Sequence, residues 1–141
     1  MSVHWYVTPY DPKYWEDPED LSPKPTSDLK VDIQDFEIYL KNHWSEVTVR
    51  SHSDKNRLFF RKKTDFTELA ISFSNENQVV QLGSNPINQL MCEFLQHYRR
   101  YINQRYPLHF FNSSDWNSLR LEPETTINDI NAFTGYIDQG D

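Results

Sequence analysis

Between residues 47 and 82 the sequence alternates apolar and polar residues with a period of two, which constrains the fold more than any other feature. Turn-forming stretches separate the runs at 53–56, 63–65 and 75–77. Such alternation is typical of half-buried strands, and a parallel return needs a crossover of about a dozen residues or more. We therefore expect a four-stranded antiparallel meander. Its inward-facing residues would be Val47 and Val49, Leu58 and Phe60, Leu69, Ile71 and Phe73, and Val80 and Leu82.

Apolar residues at helical spacing predict three helices around this meander. The first covers 31–44. The second, over 86–106, is the longest and most amphipathic, and it has a proline near its start and another after its end. The third begins at Thr126, whose hydroxyl and the carboxylate three residues on form a capping box, and is expected to end at Gly135.

These elements predict an α+β fold in a single domain over 1–141. Residues 3–8 alternate like a strand, and 108–111 are a candidate further strand. We expect an antiparallel sheet of four to six strands in a meander, with one long amphipathic helix and two shorter helices packed mainly on one face. Five of the eight prolines lie between 9 and 25, so 9–30 is predicted to be an extended loop.

Composition excludes several classes of function. The chain has three glycines, none in the spacing of a phosphate-binding loop, and its single cysteine and five histidines show no metal-ligand spacing. We therefore expect neither a cofactor nor a metal. No apolar run is long enough for a membrane span, and the amino-terminal residues lack the pattern of a signal peptide, so we expect a cytoplasmic protein with no membrane contact.

The net charge is −7, but residues 50–63 are strongly basic. Arg57, Phe59 and Arg61 lie on the opposite side of their strand from the apolar residues, and Thr48, Arg50 and Ser72 share that face. Residues 50–63 contain one acidic residue and six basic ones: Arg50, Lys55, Arg57, Arg61, Lys62 and Lys63.

Three interpretations of the basic aromatic strand 57–63 stay open. It could bind acids of a protein partner. It could bind single-stranded nucleic acid, with Phe59 stacking a base and with help from Arg99, Arg100 and Arg105, although an acidic protein is unusual in that role. It could also be a strand edge kept soluble by its charges.

The loop at 10–20 is rich in acids and aromatic residues. Tyr14 and Trp15 would supply apolar anchors if the loop recognises a partner, because aromatic residues are enriched at interface hot spots. Alternatively, the loop covers apolar surface of its own domain. A long connection without regular structure is often functional.

An enzyme would need a site assembled from distant residues, for example His4, His109 and Asp115. Cys92 borders the apolar stripe of the long helix and is expected to be a buried small hydrophobe. Arg99 and Arg100 are expected on the solvent side of that helix. We therefore expect a non-catalytic protein-interaction module, with nucleic-acid binding as the alternative and an enzyme third; its oligomeric state is left open. The binding residues would be Tyr14, Trp15, Arg50, Arg57, Phe59, Arg61, Lys62 and Lys63.

Overall fold

The computed structural model describes residues 5–11, 31–51, 57–62, 67–73, 78–83, 89–102, 107–112, 118–122 and 124–139. The element order over these residues is strand, helix, four strands, helix, two strands and helix. The chain therefore has the α+β composition that the sequence predicts.

Within the ranges that the structure describes, seven strands form one antiparallel sheet, slightly more than the predicted four to six. Their order across the sheet is β2-β3-β4-β5-β1-β6-β7, so the predicted meander is present as β2 to β5 and the amino-terminal strand lies between β5 and β6. The strands are β1 Trp5–Thr8, β2 Val47–Ser51, β3 Arg57–Lys62, β4 Glu68–Phe73, β5 Val80–Gly83, β6 Leu108–Asn112 and β7 Ser118–Leu121.

Helix α1 spans Ile33–His43 and begins where the sequence places an acidic first turn. The Asp32 side chain accepts hydrogen bonds from the backbone N–H groups of Gln34, at 2.8 Å, and Asp35, at 3.3 Å. This N-cap satisfies donors that have no partner within the helix.

Helix α2 spans Gln89–Ile102 and α3 spans Ile127–Gln139. The predicted capping box of α3 is present, since Thr126 N–H donates to Asp129 at 2.9 Å and Asp129 N–H donates to the Thr126 hydroxyl at 3.1 Å. The predicted end at Gly135 is wrong. One glycine inside a helix costs only about 1 kcal/mol, which the rest of α3 offsets.

The three helices lie on one face of the sheet, called the inner face. α1 contacts β2, α2 contacts β4 and α1, and α3 packs against α2. Aromatic rings carry much of the packing: Phe36 of α1 lies 5.9 Å from Phe94 of α2 between ring centroids, and Trp5 of β1 stacks on Phe110 of β6 at 4.9 Å. The buried apolar residues of all seven strands on this face belong to a single core.

Two structural findings concern α2. Cys92 is fully buried, as expected for a small core residue. Arg99, expected on the solvent side, is 6% exposed, so that expectation is wrong.

Within the described residues no helix combines the length and the apolar character that crossing a membrane requires.

Candidate functional site

The face of the sheet turned away from the helices, called the outer face, is exposed over β2, β3 and β4. The strand register sets Arg50 opposite Phe59, Thr48 opposite Arg61, and Arg57 opposite Ser72. Because directly opposed residues share a face, the predicted grouping of these residues is confirmed. We call this surface the exposed half; its members are Thr48, Arg50, Arg57, Phe59, Arg61, Glu68, Ala70 and Ser72.

Phe59 is an aromatic residue on the exposed half, and 38% of its surface is accessible. Arg50 lies opposite it on one side and Ala70 on the other, and Gly83 continues this row on β5. Both of these neighbours in the row, Ala70 and Gly83, are small. An open concavity of about 430 Å³, lined by residues of β2, β3 and β4, includes Phe59 and Arg50.

Arg61 also lines this concavity, where it forms an ion pair with Glu68 on β4. Its Nε atom donates to the Glu68 carboxylate at 2.9 Å. Both side chains are more than half exposed, so the pair contributes little to stability. The acid does lower the positive charge that the exposed half presents. Glu68 was not among the predicted site residues. Pairing the second and third strands of the predicted meander would have indicated its place beside Arg61.

A further predicted binding residue, Lys62, does not belong to the exposed half. Lys62, at the end of β3, lies opposite Val47, which belongs to the core. Because opposed residues share a face, Lys62 is on the inner face, whereas its neighbour Arg61 is on the outer face. Lys63 lies outside the described residues, as do Tyr14, Trp15 and most of the predicted loop. Of that loop, Tyr10 is described and is 4% exposed, and its backbone N–H donates to the Thr8 hydroxyl at 3.2 Å.

β3 lies between β2 and β4 rather than at the border of the sheet. The interpretation of its charges as protection of a strand edge is therefore wrong. Its arginines are on the face of an internal strand, where they are available to a ligand that approaches the sheet from outside.

The outer face is buried over β1 and β6. Tyr6 and Phe111 lie opposite each other with ring centroids 5.5 Å apart, and with Val79 they form a second apolar cluster. Thr8 and His109 are opposed on the same face and are also buried. We call these five residues the buried half. Burial raises the pKa of the Tyr6 hydroxyl, which keeps it neutral at ordinary pH.

Of the three residues proposed for catalysis, His109 is the one that the described ranges include. His109 lies in the buried half, while His4 and Asp115 are outside the described residues. Burial, and secondarily the Glu93 carboxylate, raise the pKa of the Cys92 thiol to about 11, so this thiol stays protonated and unreactive. Among the described residues there is no group of three or more side chains suited to hold a metal ion.

On the outer face the described residues therefore present one basic, partly aromatic surface beside a buried apolar one. The exposed half can contact a ligand without rearrangement of the core. Comparison of the chain with models of protein families, with curated proteins and with solved structures finds no match.

Proposed function

We propose that this protein is a non-catalytic interaction module that binds an acidic segment of a partner protein on the exposed half. The observation that carries the proposal is the arrangement of Arg50, Arg57 and Arg61 around the partly exposed ring of Phe59. Arginine forms paired hydrogen bonds with carboxylates, and an exposed aromatic ring offers apolar contact at low entropic cost.

Charge distribution supports an acidic partner segment of limited length. The chain as a whole carries a formal charge of −7, so a ligand with many negative charges is repelled by most of the molecule. A short acidic segment can stay within the range of the arginines, because charge interactions at the surface decay over about 10 Å at moderate salt. The basic surface attracts an acidic segment while the rest of the protein repels it, so the charge distribution also orients the partner.

Binding of a fluorescein-labelled acidic peptide tests the proposal. Reversing two charges together, Arg50→Glu and Arg57→Glu, should weaken binding by about tenfold or more. Both residues are exposed, so the variant should keep the circular dichroism spectrum of the original protein.

Arg120→Glu is the matched control, because Arg120 is an exposed arginine of the same face at the far end of the sheet. It should change the affinity by no more than about twofold. Equal losses in both variants, or no binding of the peptide at low salt, would show that the exposed half does not recognise acidic segments.

Single-stranded nucleic acid is the second candidate ligand, because the partly exposed ring of Phe59 could stack on a base. The net charge of the chain and Glu68 within the exposed half both oppose it. A labelled oligonucleotide separates the two ligands: tighter binding than the acidic peptide, with a steep loss of affinity as salt rises, would favour nucleic acid.

A further inference from the structure

We infer that the acidic segment binds as an added β-strand along the edge of β2, with alternate side chains over the exposed half. This inference rests on the proposed function, since it states how the same surface holds its partner. It depends on three observations: the position of β2 in the sheet, the composition of that strand, and the placement of the arginines relative to the edge.

β2 ends the sheet: within the described part of the chain it pairs with β3 alone. In a strand with one neighbour, the backbone N–H and C=O groups of alternate residues point away from that neighbour. β2 therefore directs these groups past the sheet edge, except that the N–H of Val47 already donates to the Trp44 carbonyl at 3.2 Å. An extended peptide laid beside it can pair with them, as in other proteins that bind peptides by strand addition.

β2 lacks the features that commonly block strand addition. Its sequence, Val47 to Ser51, contains three consecutive β-branched residues and no proline or glycine. Its register with β3 runs without interruption from Val47 opposite Lys62 to Ser51 opposite Leu58, so no bulge turns the edge away. Its single charged residue, Arg50, is exposed on the outer face rather than turned inward. The opposite edge strand, β7, is shorter, at four residues.

The arginines are placed to select an acidic added strand. Residues directly opposite on neighbouring strands lie about 5 Å apart, so a side chain on the added strand that faces outward would meet Arg50 or Thr48. Arg61, opposite Thr48 on β3, donates to Glu68 on β4 and so is directed away from this edge, which leaves Arg50 as the arginine next to the added strand. The concavity begins at Thr48 and Arg50 of β2 and continues across β3 to β4. An outward-facing acidic residue of the added strand would thus meet Arg50.

The test uses a short labelled peptide of alternating glutamate and valine and two N-methylated forms of it. One form carries methyl groups on the glutamate amides and the other on the valine amides. Residues of one type direct their backbone groups to one side of an extended strand, so only one form loses the hydrogen bonds to β2. We expect that form to bind about tenfold more weakly or worse, and the other to stay within about threefold of the parent peptide.

The outcomes separate this inference from the proposed function. If both methylated forms bind as well as the parent while the double charge reversal of Arg50 and Arg57 still weakens binding, strand addition is wrong and the proposed function stands. If the parent peptide does not bind at low salt, both fail. A dimer of the protein, seen by sedimentation, that persists when the peptide is bound would assign the β2 edge to a second copy of the chain and would also overturn the inference.

Discussion

The exposed and the buried halves of the outer face belong to one continuous sheet, yet they present opposite surfaces. Both carry a phenylalanine at an outward position: Phe59 on β3 is 38% exposed, whereas Phe111 on β6 is completely buried. Around Phe59 the neighbouring residues are arginines, a threonine and small side chains, and around Phe111 they are Tyr6 and Val79. Ligand contact is therefore expected at the first position and structural packing at the second.

The difference shows that strand alternation determines only which face a side chain occupies. Whether that face is exposed depends on what packs against it, which a period of two does not encode. The composition of the neighbours on adjacent strands is the better guide. Charged residues cannot be buried without partners, so a row that contains Arg50 or Arg57 stays exposed, while a row of Tyr6 and Phe111 can be covered.

The largest expected effect is the loss of stability when Phe111 is truncated. Phe111→Ala should lower the free energy of unfolding by about 3 to 5 kcal/mol, because it leaves a cavity in the buried half. Phe59→Ala, the matched change in the exposed half, should lower it by less than about 1 kcal/mol. Urea denaturation followed by circular dichroism measures both.

In the acidic-peptide assay we expect the larger effect at Phe59 and the smaller one at Phe111, the reverse of the order for stability. Phe59→Ala should weaken binding, and a folded variant of the buried half, such as Phe111→Leu, should not. Similar stability losses for the two alanine variants would break the distinction between the halves.

The next effect is an acid-dependent loss of stability caused by His97 on α2, on the inner side of the sheet. Burial, then the charges of Arg100 and His43, lower the pKa of His97 to about 4, and its ring lies 4.8 Å from that of Trp44. In the unfolded chain the pKa is about 6.5. Between these two values the unfolded state binds a proton that the folded state does not, so stability falls as the pH decreases from about 6.5 to about 4.

We expect His97 to account for about 2 kcal/mol of this loss, since each unit of pKa shift corresponds to about 1.4 kcal/mol and the side chain is only partly buried. Urea denaturation at pH 7 and pH 4.5 should show a smaller loss for His97→Gln than for the original protein. An equal loss in both would assign the acid sensitivity to carboxylates instead. Binding at the exposed half is therefore best compared above pH 6.5, where the effect of His97 on stability is absent.

The smallest expected effect on stability comes from Glu68→Gln, which removes the acid that pairs with Arg61 on the exposed half. The ion pair is exposed, so the free energy of unfolding should change by about 0.5 kcal/mol or less. Affinity for the acidic peptide should rise by about twofold to fivefold, because Arg61 no longer has a carboxylate beside it. Unchanged affinity would indicate that Arg61 takes no part in binding.

The sequence predicts the β2–β5 meander well, because short turns leave antiparallel pairing of consecutive strands as the only arrangement. The place of β1 could not be predicted in this way. Its partners, β5 and β6, are far along the chain, and local periodicity carries no information on such pairing. The burial of Arg99 was missed for a similar reason: the space beside it is lined by residues from another part of the sequence, namely Leu121, Glu122, Thr125 and Ile130.

The exposed half was predicted where it depends on alternation alone. Arg57, Phe59 and Arg61 follow from the apolar residues between them, and Arg50 follows from the neighbouring strand. The concavity was not predicted, because it depends on how side chains of three strands, including the small Ala70, lie beside one another. Lys62 was included because it is basic, although its position in the alternation already placed it on the other face.

The central position of β1 has a consequence for the order in which the protein folds. The β2–β5 meander joins neighbours in sequence and can form early, whereas β1 must find β5 and β6 across long intervening stretches of chain. Until β1 inserts, β5 and β6 each lack a neighbour, and the two parts of the sheet are separate. We expect this insertion to be the slow step, and a chain emerging from the ribosome completes it only after residue 112 has been made.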